Sequence, residues 1–348
     1  MISILVRSSC REALKEGTKI VLGIESTAHT FGVGIASSDG RILANENRVY
    51  RPSKGGIHPR EAAQHHSRVA PEALRAGLSK AGISLEEVDG IAFSVGPGLG
   101  PCLRTGATIA RTLALSLGKP LIAVNHGVAH IEIGRLVTGC KDPVVLYVAG
   151  GNTLVAAFNA GRYRIFGETL DIAAGNCLDT FGIKAGIGPM PMPELIAEKA
   201  KSFIQLPYTV KGMDVSFSGL LTAALLKLKQ GAALEDVCYG LTETVYSMLT
   251  EVTERAVAYT AKNEILVVGG LARSKRLKNM LDMMATERGA KVYTIPDEYA
   301  GDNGAMIAWN GVLQLMSGMV IDIEDSRIRP RMRIDEIDVK WFGVRMGC

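Results

Sequence analysis

Two histidines, His126 and His130, stand four residues apart in HGVAHIEIGR, directly after an apolar, strand-like run. On a helix, side chains at i and i+4 lie one above the other. Two imidazoles so placed can hold a metal ion if further ligands reach them, and the same spacing also suits an ordinary surface pair. The metallopeptidase arrangement is missing, since it needs H-E-x-x-H with the glutamate as general base. Here Gly127, Val128 and Ala129 fill the gap. A third ligand is available in GDNGAMIA, where Asp302 precedes a helical pattern. The competing explanation for Asp302 is a helix N-cap, a position that favours aspartate.

Two further motifs suit an anionic ligand. In GGNT (Gly150–Thr153) two glycines between strands leave backbone N–H groups open to a phosphate. In VVGGLARSKRL the expected helix begins beside Gly269-Gly270, where its first amides would face a phosphate. A plain hairpin turn explains the first motif as well, and close strand–helix packing the second. Arginines cluster in RVYRPSKGGIHPR (Arg48–Arg60) and RIRPRMRIDEIDVK (Arg327–Lys340). The first, a glycine- and proline-bearing loop, is the better candidate for gripping phosphates; the second reads as a solvated face.

The elements that must position these residues follow from the whole chain. Its 348 residues exceed what one hydrophobic core usually organises, so two domains are expected. With 47% apolar and 21% charged residues it is a packed globular chain, and its formal net charge of +4 is small for a nucleic-acid binder. Six cysteines, none in a C-x-x-C pair, read as reduced thiols in a cytosol. No signal peptide and no run of about 18 apolar residues is present, so a cytoplasmic location without a membrane span is expected.

The chain then repeats itself. KIVLGIESTAHTFGVGIASSDGRIL (Lys19–Leu43) and PVVLYVAGGNTLVAAFNAGRYRIF (Pro143–Phe166) share one grammar of strand, small-polar turn, strand, turn and strand. Each is followed by a strand–glycine–helix unit, at Asp89–Leu115 and Asn263–Leu281. Helical spacing marks 59–82, interrupted at Pro71, then 234–263 and 303–318. The expected organisation is a duplicated α/β fold of two lobes around a cleft: an extension over 1–18, lobes over 19–142 and 143–341, and a tail over 342–348.

The motifs GIESTAHTFGVGI, GGIHPREAAQHH, VGPGLGPCLRTG, VNHGVAHIEIGR, LYVAGGNT, ETLDIAAGN, KGMDVSFSG, VVGG and GDNGAMIA fall in one order. From Lys19 to about Trp341 they resemble archaeal members of the TsaD/Kae/Qri family, the catalytic subunit of the KEOPS complex. The resemblance implies an actin/hexokinase/Hsp70-like fold and a tRNA N6-adenosine threonylcarbamoyltransferase. Such an enzyme moves the threonylcarbamoyl group from threonylcarbamoyl-AMP to N6 of the adenosine 3′ of the anticodon. The resemblance further implies one divalent transition metal, iron ahead of zinc, on His126, His130, Tyr147 and Asp302, with catalysis by His126 and His130 acting through it. ATP or the adenylate would lie along Tyr147, Val148, Ala149, Gly150, Gly151 and Asn152, with Asp179 and Ser274. Implied partners are tRNA, a kinase-like ATPase and a small dimerising subunit that docks on the N-terminal lobe. The amphipathic helices at Pro59–Gly82 and His126–Val137 are candidates for that lobe's docking face, with a core-facing stripe as the alternative.

The chain departs from the family pattern in GIGPMPMPEL, where Met192 replaces a glycine and Ile196 an acidic residue, and at Ser274, where an asparagine is usual. Glu194 is the nearest replacement for the missing acid. Glu25 and His58 are candidates for moving protons. The alternatives are a small-molecule kinase of the same fold and a nucleotide-gated scaffold without catalysis.

Overall fold

The computed structural model describes residues 17–52 and 56–343. Residues 1–16 of the expected extension over 1–18, the middle of the first arginine loop at 53–55, and residues 344–348 of the expected tail over 342–348 lie outside it. The chain opens with β1 (Ile20–Glu25), β2 (Thr30–Ser37) and β3 (Ile42–Val49), then α1 (Pro59–Ala81), β4 (Gly90–Gly96), α2 (Gly100–Leu117), β5 (Leu121–Asn125) and α3 (His126–Thr138). The five strands form one sheet in the order β3-β2-β1-β4-β5, with β1 antiparallel to β2 and parallel to β4. β1 is buried along its whole length. Its side chains alternate between two cores, as a period of two requires. Leu22 and Ile24 join the small residues of α1 and α2, while Val21 joins the core built around α3.

The second half continues with β6 (Val144–Val148), β7 (Thr153–Asn159), β8 (Arg162–Glu168), α4 (Ala174–Lys184), α5 (Met192–Ala197), the two-residue strands β9 (Val210–Lys211) and β10 (Asp214–Val215), and α6 (Ser218–Lys229). It ends with α7 (Leu234–Thr260), β11 (Glu264–Val268), α8 (Lys275–Glu287), β12 (Lys291–Thr294), α9 (Asp297–Ala300) and α10 (Gly304–Met316). Its sheet order, β12-β11-β6-β7-β8, is the first sheet's order repeated: three antiparallel strands, then two added parallel beside the first of them. The repetition read from the sequence is therefore a repetition of topology.

Two helices leave their own half. α10 follows the second sheet in the chain yet packs on the first, because Gly23, Gly32 and Gly34 clear a track for it. A Cβ on Gly34 would sit 2.2 Å from the carbonyl carbon of Gly304, and one on Gly23 would sit 2.1 Å from the Ala308 nitrogen. α3 in turn lays Gly134 against Val268 and Leu266 of β11. α3 and α10 thus lie together between the sheets.

Two local expectations change. α1 runs unbroken through Pro71, because that proline lies on the exposed face, where water replaces the missing backbone donor. α8 does not begin beside Gly269-Gly270; a 3-10 turn over Gly270–Arg273 intervenes, and Ser274 caps the helix by accepting from the Leu277 N–H at 3.0 Å. Gly269 is required by packing, since it holds φ +94 and a Cβ there would lie 2.4 Å from the Val148 carbonyl.

Candidate metal centre and adenylate cleft

α3 starts sharply at the end of β5. Asn125 caps it, its Oδ1 accepting from the Val128 N–H at 3.1 Å, a contact worth about 1 kcal/mol. The cap fixes the first turn, so His126 and His130 project one above the other from a buried helix end, ring centroids 4.7 Å apart. Asp302 meets them from the start of α10. Its Oδ1 lies 3.4 Å from Nε2 of both histidines. The N-cap explanation for Asp302 fails, because Asn303 caps α10, accepting from the Met306 N–H at 2.9 Å. Asp302 is left free to face the histidines.

Tyr147 on β6 closes the corner, its ring 5.3 Å from that of His130. Its buried hydroxyl has no hydrogen-bond partner, and neither has Nδ1 of His130. A buried polar atom left unpaired costs about 1–3 kcal/mol, so the Tyr147 hydroxyl points to a missing group; an ion at Nε2 of His130 would leave its Nδ1 unmet. Among the described residues, His126, His130 and Asp302 form the one cluster able to hold a metal, with ligand atoms all within 4.8 Å. Three donors about 2.1 Å from an ion at tetrahedral angles would stand about 3.4 Å apart, which matches the Nε2-to-Oδ1 separations.

Behind the histidines sits Glu25, fully buried at the end of β1. It accepts from the Thr27 N–H at 2.6 Å and from the Thr27 hydroxyl at 2.5 Å, and its Oε2 lies 3.0 Å from Nδ1 of His126. A carboxylate only accepts, so Nδ1 carries the hydrogen and Nε2 is turned towards Asp302. Burial pulls the His126 imidazolium down, but Glu25 and Asp302 outweigh it and hold the group up at about 10. Burial lowers His130, whereas the two histidines hold Asp302 well below the usual carboxylate range despite its burial. Burial, and then the Asp302 charge, push the Tyr147 phenol up. Two buried carboxylates drawing a positive charge into this corner are what a divalent cation would neutralise. Both Glu25 oxygens are engaged, one by Thr27 and one by His126, and His58 is an exposed residue at the start of α1.

The adenylate candidates gather beside this corner. Ala149, Gly150, Gly151 and Asn152 turn the chain from β6 to β7, closed by the Ala149 N–H donating to the Asn152 carbonyl at 2.8 Å. A Cβ on Gly150 or Gly151 would meet nothing within 4 Å. Gly175 at the start of α4 packs against Ala149, and one turn on, Asp179 accepts from the Met190 N–H at 2.9 Å. That bond pins the atypical loop. Burial raises the Asp179 carboxyl. α5, which follows that loop, carries Glu194 to Ser274: Oε1 accepts from the Ser274 hydroxyl at 3.1 Å and the Arg276 N–H at 3.3 Å, and Oε2 accepts from the Tyr246 hydroxyl at 2.8 Å. The carboxylate facing Ser274 is thus supplied by Glu194, two residues before Ile196.

Other expectations fare differently. The stretch His126–Gly134 is buried, so α3 offers no docking face there. α1 remains exposed and shares with α2 a groove of about 640 Å³ lined by Ser67, Ala70, Pro71, Leu74 and Pro101. Arg48 is engaged, with Glu72 at 3.1 Å and Glu46 at 3.4 Å. The four described cysteines are buried free thiols, pushed up by burial to about 11 at Cys102 and Cys140 and about 12 at Cys177 and Cys238. No described helix is long and apolar enough to cross a membrane.

Comparison with known proteins places this geometry. A family model described as TsaD, tRNA N6-adenosine threonylcarbamoyltransferase, matches residues 41–309. A relative of that name from Thermofilum pendens is 60% identical over 324 residues, covering 92% of this chain and 96% of its own. A probable bifunctional tRNA threonylcarbamoyladenosine biosynthesis protein from Methanothermobacter thermautotrophicus is 55% identical over 93% of this chain and 61% of its own length. Among solved structures, HypF from T. kodakarensis superposes with a TM-score of 0.62 at 15% identity, over 86% of this chain and 48% of its own. Component A of the Acidaminococcus fermentans (R)-2-hydroxyglutaryl-CoA dehydratase gives 0.53 at 13%, over 86% and 99%. These two likenesses concern the fold alone, an actin/hexokinase/Hsp70-like one. The family match over most of the chain and the close archaeal relatives lead to one conclusion: the chain belongs to the TsaD family of tRNA N6-adenosine threonylcarbamoyltransferases.

Proposed function

We propose that the chain transfers the threonylcarbamoyl group from threonylcarbamoyl-AMP to N6 of the adenosine 3′ of the anticodon, within a KEOPS-type complex. The observation that carries this reading is the convergence of His126, His130 and Asp302 next to Tyr147 and the open Gly150-Gly151 turn. His126, His130, Asp302 and Tyr147 would hold one divalent ion, iron in preference to zinc, on an N/O donor set. When bound, the ion supplies Lewis-acid polarisation and a fixed positive charge for the threonylcarbamoyl group.

The chain's own residues do the remaining work. Amides at Gly150 and Gly151 donate to the adenylate phosphate, and the absence of side chains there admits it to the backbone. Asp179, Ser274 and Glu194 line the nucleoside side. The attacking adenosine amine forms the new N–C bond as AMP departs with the electron pair of the C–O bond that breaks, and the proton lost from N6 passes to the departing phosphate or to water. The mixed anhydride is already activated, so no covalent nucleophile is needed and positioning carries much of the rate. The four described cysteines, buried and held as thiols, fit that reading.

We also propose the division into lobes at 142/143, supported by the same sheet order on either side. The α1–α2 groove is the proposed seat of the small dimerising subunit. A kinase-like ATPase is the second partner; the bifunctional relative extends well beyond the part this chain matches. The test is transfer of labelled threonine to tRNA with partner proteins present. Slow transfer by the chain alone, restored by partners, is expected; phosphorylation of a small molecule with no tRNA product would show a kinase instead.

A further inference from the structure

α3 carries His126 and His130 in its first half, and much of its surface is smooth. Val128, Ala129, Ile131 and Ile133 are wholly buried, and Gly134 lies against Val268 and Leu266 of β11. Apolar faces of this kind hold a helix against its neighbours without fixing its rotation or height, because the hydrophobic effect has no direction. Packing is also incomplete at the far end, where a cavity of about 440 Å³ takes its wall from Leu136 of α3, Trp309 and Leu313 of α10, and Trp341. A metal centre is less tolerant. Its bond lengths hold to within about 0.2 Å, whereas one residue of helix is about 1.5 Å of rise and about 100° of turn.

Glu132 supplies the missing direction. It is 2% exposed, and it stands two residues after His130, which turns it about 200° round the helix from that imidazole. Its Oε1 accepts from the hydroxyl of Tyr163 on β8 at 2.7 Å, and its Oε2 from Nη1 of Arg135 at 2.8 Å. Arg135 in turn donates to the Lys141 carbonyl, from Nε at 3.1 Å and from Nη2 at 2.8 Å. Its guanidinium lies 4.1 Å from the centre of the Phe342 ring, and Phe342 stacks on Phe158 of β7 with ring centroids 3.6 Å apart. The Lys141 and Asp142 N–H groups both donate to Glu264 at the start of β11, each at 2.8 Å. From the side of the helix turned away from His130, α3 is therefore tied to three strands of the second sheet.

We infer that Glu132, with Arg135 and Tyr163, is a positioning group for the metal centre: it sets the rotation and height of α3 so that His126 and His130 meet Asp302. The inference rests on the metal reading of that corner. A charged pair withdrawn from water gains little net stability, and apolar side chains of similar volume often hold a fold as well or better. Such side chains would lack the directed hydrogen bonds. The centre needs direction, since Nε2 of both histidines must stay 3.4 Å from the same Asp302 oxygen. Glu132 acts through the helix, not by contact with the ion.

The experiment separates contact from charge in the full chain. Zn²⁺ affinity is measured by chelator competition, and the unfolding midpoint on the metal-free protein. Glu132→Leu/Arg135→Met removes the tie together with both charges. It should unfold at or above the wild-type midpoint and bind Zn²⁺ about 10–100-fold more weakly. Glu132→Gln keeps the tie, because the new amide donates to the Tyr163 oxygen and accepts from Arg135, but it leaves Arg135 uncompensated. Its midpoint should fall while Zn²⁺ affinity stays near the wild type. Leu281→Ala, in the buried face of α8, should lower the midpoint with affinity unchanged. Wild-type Zn²⁺ affinity in the double variant would overturn the inference. So would an equal loss of affinity in Glu132→Gln or Leu281→Ala, which would trace it to stability alone. If the double variant does not fold, Tyr163→Phe, which deletes one hydroxyl, decides: weaker Zn²⁺ binding is expected, and wild-type affinity overturns the inference. A wild type that holds Zn²⁺ no better than these variants fells the inference alone; a wild type that takes up no transition metal fells the metal reading, and the inference with it.

Discussion

The glycines under α10 and the glycines of the β6–β7 turn are the same residue type under opposite constraints. At Gly23, Gly32 and Gly34 any added carbon would strike the backbone or side chains of neighbouring elements, with Gly34 only 2.2 Å from Gly304. At Gly150 and Gly151 the space is empty. The first set is demanded by the fold, because α10 must come close enough to bring Asp302 to the histidines. The second is demanded by nothing within the chain, so the reason for glycine there has to be sought in what approaches from outside. Substitutions in the first region should damage structure and site together; those in the second should damage binding alone.

The largest effect should come from Gly34→Val. Overpacking costs about 1–3 kcal/mol even where neighbours can yield, and here backbone must move. The expected outcome is a fall in thermal midpoint of many degrees together with loss of bound metal. A folded, metal-loaded variant would break the contrast. Next comes Glu25→Gln, which keeps the shape but weakens the group orienting His126. Metal affinity should fall about 10–100-fold, measured by chelator competition, with little change in the adenylate turn.

Gly151→Val should weaken AMP binding roughly 10-fold, through one or two lost charge-assisted hydrogen bonds, with the unfolding midpoint unchanged. Calorimetry showing wild-type AMP affinity would return the turn to an ordinary hairpin. Met192→Ala should cost less, since that position is exposed and has already left the family's glycine pattern. The smallest effect concerns pH. His66 is buried with its Nε2 3.1 Å from the Ala28 carbonyl, and burial lowers it from 6.5 to about 4. A depressed histidine binds its proton more readily when unfolded, so stability should fall as pH drops from about 6.5 towards about 4. Denaturant midpoints across that range should show the slope, and His66→Gln should flatten it.

Much of this was legible in the residues. Strand grammar and glycine punctuation marked both sheets, because the repeated apolar runs had to be strands in either half. The i, i+4 spacing of His126 and His130 survives as a helix end. What the sequence hid was set by long-range packing. Nothing near Asp302 shows that Asn303 takes over the capping, or that glycines some 270 residues earlier draw α10 onto the first sheet. The role of Glu25 was hidden too, since it depends on β1 ending beneath α3. The sequence left α3 open between a docking face and a core-facing stripe, and its burial decides for the stripe; helix faces turned to either sheet look alike in sequence. Glu194 was named from the sequence as the nearest acid; that it reaches Ser274 depends on where α5 packs, which residue counting could not supply.

The central claim is that one divalent metal, held by His126, His130, Asp302 and Tyr147, is required for transfer. The direct measurement is metal content, by elemental analysis, in wild type, His126→Ala and His130→Ala, paired with threonylcarbamoyl transfer to tRNA in the presence of partners. The account predicts about one ion per wild-type chain, little in either folded variant, and transfer lost in both. Wild-type chain purified without a transition metal, with both variants still active, would contradict it.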